Sequence, residues 1–347
     1  MILMDINDLA PRMIVGRVVR SKDGTTLLEK GAYLTKSRID KLFSWGISSL
    51  YITDGIEDQT QFIDQYKDIV KAIKKIFEDI GQSKKIPIGE IRELVDKSIS
   101  PLLHMAGVLD YLYEIRSHSD YTFQHSVHVA VITGIFASWL HYDDAQCKEL
   151  IMAGLLHDIG KLHVPLKILD KPGKLLDSEF IAIKKHPAEG YGFLKNSNEI
   201  SEDIKMAVWQ HHESVDGSGY PFGLNGSEIH EYATLVAIAD LYDAMTSDRA
   251  YRRKLIPFVA METIAEQMHH KFNASVCIPI LDNMRDYFIG SDVLLSNGQK
   301  AIVIIINPES WTQPMIRTYD GTFLDLRREN ISVVDLISKN QGTVSLD

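Results

Sequence analysis

The chain has almost no cysteine: two in 347 residues, Cys147 and Cys277, far apart and without a CxxC spacing. That excludes a disulfide framework and a thiolate-built metal site, and it fits a reducing compartment, so a cytoplasmic protein is expected. A bilayer-spanning apolar run is missing too. The longest apolar stretch, Val127 to Leu140, is interrupted by His128 and falls short of the roughly 20 residues that a span requires. The start, Met1-Ile2-Leu3-Met4-Asp5, has neither the basic residues nor the extended apolar segment of a secretory signal, so no membrane insertion is expected. Positive charge is also in deficit. With 37 Lys and Arg against 47 Asp and Glu, the net charge of −10 argues against a basic surface for long nucleic acid. A small anion could still bind where local cations outweigh that field, and metal ions would supply them. Repeats, low-complexity tracts and a recognisable receiver or transmembrane sensor are absent. What remains, 45% hydrophobic and 24% charged residues, is the composition of an ordinary globular chain with room for two or three cores.

Local patterning divides the chain. Residues 1 to about 55 read as strand, turn, strand, helix, strand. Met13 to Val19 is strand-like, Lys22-Asp23-Gly24 is a turn, Thr35 caps a short helix that Gly46 stops, and Ile47 to Thr53 is a further strand. From Gln59 to about Ile80, Phe62, Tyr66, Ile69, Ile73 and Ile76 recur at helical spacing. Gly81-Gln82-Ser83-Lys84-Lys85 reads as a loop and as the boundary of the main domain. Residues 88 to about 285 carry long helical segments. After Tyr287, apolar runs flank Asn297-Gly298 and Asp320-Gly321, two hairpin signals. The expected fold is therefore mainly α. A helical bundle over 86–285 follows an N-terminal α/β region with its linking helix (1–85) and precedes a small β module (286–347).

The chemistry concentrates in the bundle. Two adjacent histidines, His211 and His212, cannot share one helix face, because neighbours point about 100° apart, but at a helix end both can turn to one polar centre. The Asp216-Gly217-Ser218-Gly219-Tyr220-Pro221 that follows cannot continue a helix and should form a loop beside that centre. Candidate ligands His125, His157, Asp158, His186, His211, His212 and Asp240 stand about 25 to 32 residues apart, roughly one helix plus a connection. That is the spacing expected when successive helices of a bundle each contribute inward ligands. Five imidazoles and two carboxylates suffice for two metals with one carboxylate bridging, and N and O donors without thiolate favour Fe, Mn or Zn. The remaining histidines read as surface or hydrogen-bonded residues, with His128, on the turn after His125, a candidate support for a ligand.

At these residues the chain resembles the HD-GYP phosphodiesterases of the HD metal-hydrolase superfamily. Tyr121-Thr122-Phe123-Gln124-His125-Ser126 is similar to that family's opening motif, and Gly154-Leu155-Leu156-His157-Asp158-Ile159-Gly160-Lys161 to its HD signature. Lys171-Pro172-Gly173 through Lys185-His186-Pro187, His211 through Pro221, and Val236 through Arg252 are similar to its later blocks. The resemblance covers about residues 100 to 285. It implies an HD-type bundle that hydrolyses cyclic di-GMP to linear pGpG, with the step on to GMP left open. A first metal is implied at His125, His157, Asp158 and Asp240, and a second at His186, His211 and His212, with Asp158 bridging. A hydroxide between the two ions would be the nucleophile. Fe or Mn is the expected metal, in divalent or mixed-valence form. Lys161 is expected at the scissile phosphate or leaving oxygen, Tyr220 at the substrate, and Arg249 and Arg252 at its phosphates, where a planar fork suits bidentate contact. Gly217 and Gly219 enable the substrate-side loop.

One departure concerns metal number. Some family members bind a third metal through a Glu four residues before the first histidine, and here that position is Tyr121. Two metals are therefore expected. Hydrolysis of a mixed cyclic GMP–AMP, or a receptor that binds cyclic di-GMP without turnover, are the competing readings. The terminal regions are candidates for dimerisation or for a signalling partner.

Overall fold

A computed structural model describes residues 2–21, 25–28, 30–53, 56–83, 85–105, 107–115, 121–169, 171, 173–248 and 253–337. The N-terminal region contains β1 (Ile2–Asp5), β2 (Ile14–Val15), β3 (Val19–Arg20), β4 (Thr26–Leu28), α1 (Lys36–Ser44) and β5 (Ser49–Thr53). The single strand expected over Met13–Val19 is instead two, because its halves take different partners. β2 joins β5 in a sheet ordered β1-β5-β2, whereas β3 pairs with β4. The expected turn at Lys22-Asp23-Gly24 lies outside the described residues. Thr35 caps α1 as its sequence suggests, its hydroxyl accepting the Arg38 N–H at 3.1 Å, and Gly46 leaves the helix at φ 71°. Ile39 and Leu42 of α1 bury against Val15, Leu34 and Leu50 in a small core of their own.

The next helix, α2 (Ile56–Ser83), runs through Gly81 and Gln82, where a loop was expected. A glycine inside a helix costs roughly 1 kcal/mol. Against that, Phe62, Tyr66, Ile73 and Ile80 are fully buried on one face, each stabilising by about 1.5–3 kcal/mol. Packing overrides the local signal. That face belongs to one continuous core with the helices that follow.

Those helices are α3 (Ile88–Leu94), continued by one π-type turn into α4 (Ser100–Leu102), then α5 (Val108–Glu114), α6 (Tyr121–Trp139) and α7 (Asp144–Leu156). They are followed by α8 (Leu166–Leu169), α9 (Asp177–Ile183), α10 (His186–Leu194), α11 (Glu202–Gln210), α12 (Glu231–Thr246), α13 (Pro257–Lys271) and α14 (Ala274–Phe288). α6 is buried on every side from Gln124 to Ala137, the mark of a central helix, and α2, α7 and α12 all pack on it. A five-stranded antiparallel sheet ends the described chain, in the order β10 (Val333–Leu336), β6 (Asp292–Leu295), β7 (Lys300–Asn307), β8 (Ser310–Thr318), β9 (Phe323–Asp325). Gly298 and Gly321, with φ of 82° and 95°, sit in the two hairpin turns marked by the sequence. The fold is thus mainly α with small β elements at both ends. No described helix is long and apolar enough to cross a membrane.

Candidate metal centre

Most of the candidate ligands stand at helix ends and not on helix faces. His157 closes α7, His211 closes α11 with His212 next to it, and His186 opens α10 immediately after α9. Only His125, in α6, and Asp240, in α12, are interior. The helix ends explain the arrangement. The last carbonyls of a helix lack partners, and an imidazole Nδ1–H can supply one. His157 Nδ1 donates to Gly154 O at 2.7 Å, His186 Nδ1 to Ile183 O at 2.8 Å, and His211 Nδ1 to Val208 O at 2.9 Å. A carbonyl can only accept, so Nδ1 carries the proton and Nε2 is left with its lone pair for a cation.

Their donor atoms converge in two groups. His125, His157 and Asp158 form one, His186, His211 and His212 the other, and within each group the donor atoms lie within 4.8 Å of one another. Asp158 faces both. Its Oδ2 lies 3.3 Å from His157 Nε2 and 3.6 Å from His125 Nε2, while its Oδ1 lies 3.2 Å from His186 Nε2. Asp240 Oδ1 approaches His125 Nε2 at 3.1 Å. His157 Nε2 and Asp158 Oδ1 are buried with no hydrogen-bond partner, a costly state for polar atoms unless a cation meets them. The donor set of imidazole and carboxylate fits a divalent metal.

Electrostatics prepare the same set. Burial, reinforced by the neighbouring histidines, holds His211 well below its usual range. Burial lowers His186 to about 4 against the pull of Asp158, and His212 to about 3 against the pull of Asp240. These three imidazoles are therefore neutral at pH 7, the form a metal requires. Burial would raise Asp158 and Asp240, but His157 and Lys161 beside the first, and His125 beside the second, hold both well below the carboxylate range. His125 is different. Burial opposes its charge, yet hydrogen bonds to Asp240 and Asp243 prevail and raise it to about 9, so a cation bound at Nε2 must displace a proton.

The loop after His212 closes one side. Glu213 is buried, and its carboxylate accepts the Phe222 and Leu224 N–H groups at 2.7 and 2.9 Å, drawing the loop into a ring. Gly219 lies so close to the backbone of Glu213 and Ser214 that a Cβ there would collide with it, and Gly217 takes φ 77° beside Asn225. Tyr220 is thereby placed with its ring 4.7 Å from His212 and 6.5 Å from His186. Lys161, in the short 3-10 turn Ile159–His163, holds Asp158 Oδ2 at 2.5 Å and is a quarter exposed. Tyr121, at the position where a further carboxylate ligand was considered, stacks its ring on His125 at 5.8 Å and 8°. Arg249 and Arg252 lie outside the described residues.

Three residues of the centre went unnoticed in the sequence. Asp243 accepts from Nδ1 of both His125 and His128 at 2.7 Å, with Ser247 Oγ donating to it at 2.7 Å. Its signal was the i,i+3 spacing from Asp240, which places both carboxylates on one face of α12. Glu213 had none beyond its place next to His212. Lys184 sits with its ammonium 4.9 Å from the Tyr220 ring and 5.0 Å from that of Phe180, a contact between segments that no local pattern reveals.

Comparison with known proteins adds to this geometry. Residues 113–276 match the HD domain family. A cyclic di-GMP phosphodiesterase of Pseudomonas aeruginosa is 34% identical over 248 residues, 72% of this chain and 60% of that protein. The 3′3′-cGAMP-specific phosphodiesterase 1 of Vibrio cholerae is 34% identical over 209 residues, 58% of this chain and 46% of that protein. The chain therefore spans less than two thirds of these relatives' own length. Among solved structures, an HDG"Y"P protein from Bdellovibrio bacteriovorus superposes with a TM-score of 0.52 at 19% identity, over 82% of this chain and 99% of that one, and shares the fold.

Proposed function

We propose that the chain, whose residues 113–276 match the HD domain family, is a metal-dependent phosphodiesterase that opens cyclic di-GMP to linear pGpG. The observation that carries this reading is Asp158, whose two oxygens face two separate histidine groups. His125, His157, Asp158 and Asp240 would hold one ion, and His186, His211 and His212 the other, with Asp158 common to both. Bound there, the ions supply Lewis acidity at the phosphate and make water acidic enough to act as a nucleophile near neutral pH. Fe or Mn suits the donors. Water adds to phosphorus, the bond from phosphorus to the ribose 3′ oxygen breaks, and that oxygen leaves as a hydroxyl, so the product ends in a 5′ phosphate.

The chain's own residues bind and orient. Lys161, tethered to Asp158 and partly exposed, neutralises charge on the scissile phosphate or the departing 3′ oxygen. Tyr220 forms an aromatic wall beside His212 for a substrate base. Arg249 and Arg252 are assigned to the phosphates, and Gly217 and Gly219 let the loop approach. Tyr121 offers a ring where a third metal would need a carboxylate, so two ions are held and pGpG accumulates ahead of GMP. Residues 86–285 are the catalytic part of this scheme, with 1–85 and 286–347 accessory to it in a cytoplasmic protein. A second reading, hydrolysis of 3′3′-cGAMP, is favoured by the Vibrio cholerae relative. Product analysis with anaerobically Fe- or Mn-loaded protein tests both: pGpG should form from cyclic di-GMP faster than linear product forms from 3′3′-cGAMP. Asp158→Ala should form neither. The reverse preference selects the second reading, and binding without any product rejects hydrolysis.

A further inference from the structure

A cleft of about 520 Å³ opens between the N-terminal region and the helical bundle, away from the metal centre. Its size falls within the range of small-molecule sites, roughly 300–1,000 Å³. α1 contributes Arg38, Lys41 and the nearby Trp45 to one wall; α6 and α14 contribute Trp139 and Asp286 to others. The charges are unbalanced in an informative way. The Arg38 side chain donates to the Tyr33 carbonyl at 2.7 Å, and among the described residues no carboxylate pairs with it. Its guanidinium is partly buried, which lowers its pKa, and no ionic partner raises it in return. A half-buried guanidinium with donors to spare suits an anion. Lys41, one turn of α1 further on, likewise has no ion-pair partner among the described residues and adds a second cation on that face. Beside them Trp45 is 39% exposed, so part of its indole is open at the cleft wall. Asp286, on the α14 side, is a carboxylate able to accept from an amino or amide edge.

We propose that this cleft binds a small aromatic anion with the chemistry of a nucleoside monophosphate. The phosphate meets Arg38 and Lys41, where a guanidinium fork gives bidentate contact. The base lies against the tryptophans, where ring stacking contributes without demanding one particular base. This assignment is independent of the metal centre and of its proposed substrate.

The four tryptophans make the test self-locating. Trp45 and Trp139 line the cleft, Trp209 stacks on Tyr191 at 3.7 Å next to His211, and Trp311 lies in the C-terminal sheet. The metal-loaded full chain is labelled with 5-fluorotryptophan, its resonances are assigned by single Trp→Phe variants, and GMP, guanosine and inorganic phosphate are titrated in turn. GMP should shift the Trp45 and Trp139 lines saturably, and guanosine or phosphate alone should do so at least 10-fold more weakly. Arg38→Gln should weaken the effect at least 10-fold. Lys41→Ala, at an exposed position that folding tolerates, should weaken it several-fold. The proposal is overturned if only the Trp209 line moves, if no saturable shift occurs at Trp45 and Trp139, or if both variants respond as the parent does. Hydrolysis of cyclic di-GMP, measured separately, succeeds or fails without bearing on any of these outcomes.

Discussion

At the scale of single residues, the decisive groups stand beside the candidate ligands or the loop tyrosine without being ligands themselves. Asp243 fixes two imidazoles at once, each at 2.7 Å, and so sets the ring orientation that aims His125 Nε2 at Asp240 and Asp158. Supporting partners of this kind typically change metal affinity or activity by about 10- to 100-fold. Asp243→Asn should therefore weaken metal binding by that order in a chelator competition while the far-UV spectrum is unchanged; unaltered affinity would remove Asp243 from the centre. Lys184 is the other case. A cyclic dinucleotide carries two phosphates; in the proposed reaction the metals and Lys161 would engage one, which leaves Lys184, beside Tyr220, for the other. Lys184→Ala should raise KM for cyclic di-GMP about 10-fold, the loss of roughly 1.4 kcal/mol of binding, with kcat within a factor of about three. A fall in kcat at constant KM would show a different role. Lys184 was not legible beforehand, since a local sequence shows which side chains are present but not which segments meet; Asp243 had only its i,i+3 spacing from Asp240 to mark it.

At the scale of elements, the histidine-aspartate turn depends on a glycine. A Cβ at Gly160 would run into the His186 carbonyl and the Gly190 nitrogen, so the turn after Asp158 lies directly on the start of α10. That contact sets the 3.2 Å approach of His186 to Asp158. Gly160→Ala should push the two apart, destabilising the protein by about 1–3 kcal/mol. The urea midpoint should fall and metal should bind at one site more weakly than at the other; a variant with parental midpoint and metal content would contradict the packing. Much at this scale was readable. The paired histidines announced a helix end, Thr35 and Gly46 bracketed α1, and the two hairpin dipeptides located turns of the final sheet. What failed were weak local signals against strong packing. Gly81 did not end α2 because the apolar face of that helix was buried along its length. The run from Met13 to Val19 divided because its halves pair with different strands.

At the scale of the whole molecule, the N-terminal region is pinned to the bundle through one arginine. Arg12 takes φ 68°, is buried, pairs with Asp110 of α5 at 2.5 Å and donates to the Tyr287 carbonyl at 3.1 Å, with the Tyr33 and Tyr287 rings 4.8 and 5.4 Å away. Burial works against its charge, but Asp110 and the two tyrosines more than compensate and raise its pKa further. Removing one member of a buried pair leaves the other uncompensated, at a cost of about 3–5 kcal/mol. Arg12→Met should therefore lower the urea midpoint and expose the N-terminal region to limited proteolysis; unchanged cleavage would show that the pair does not hold the region in place. Nothing in the sequence marked Arg12, because its partners are 98 and 275 residues away. The proposed reaction rests on two cations that Asp158 would share. Anomalous diffraction at the iron and manganese edges, on anaerobically loaded crystals, measures this directly. Two peaks per chain are expected, one beside His125 and His157 and one among His186, His211 and His212. A single peak, none, or a third beside Tyr121 would contradict it.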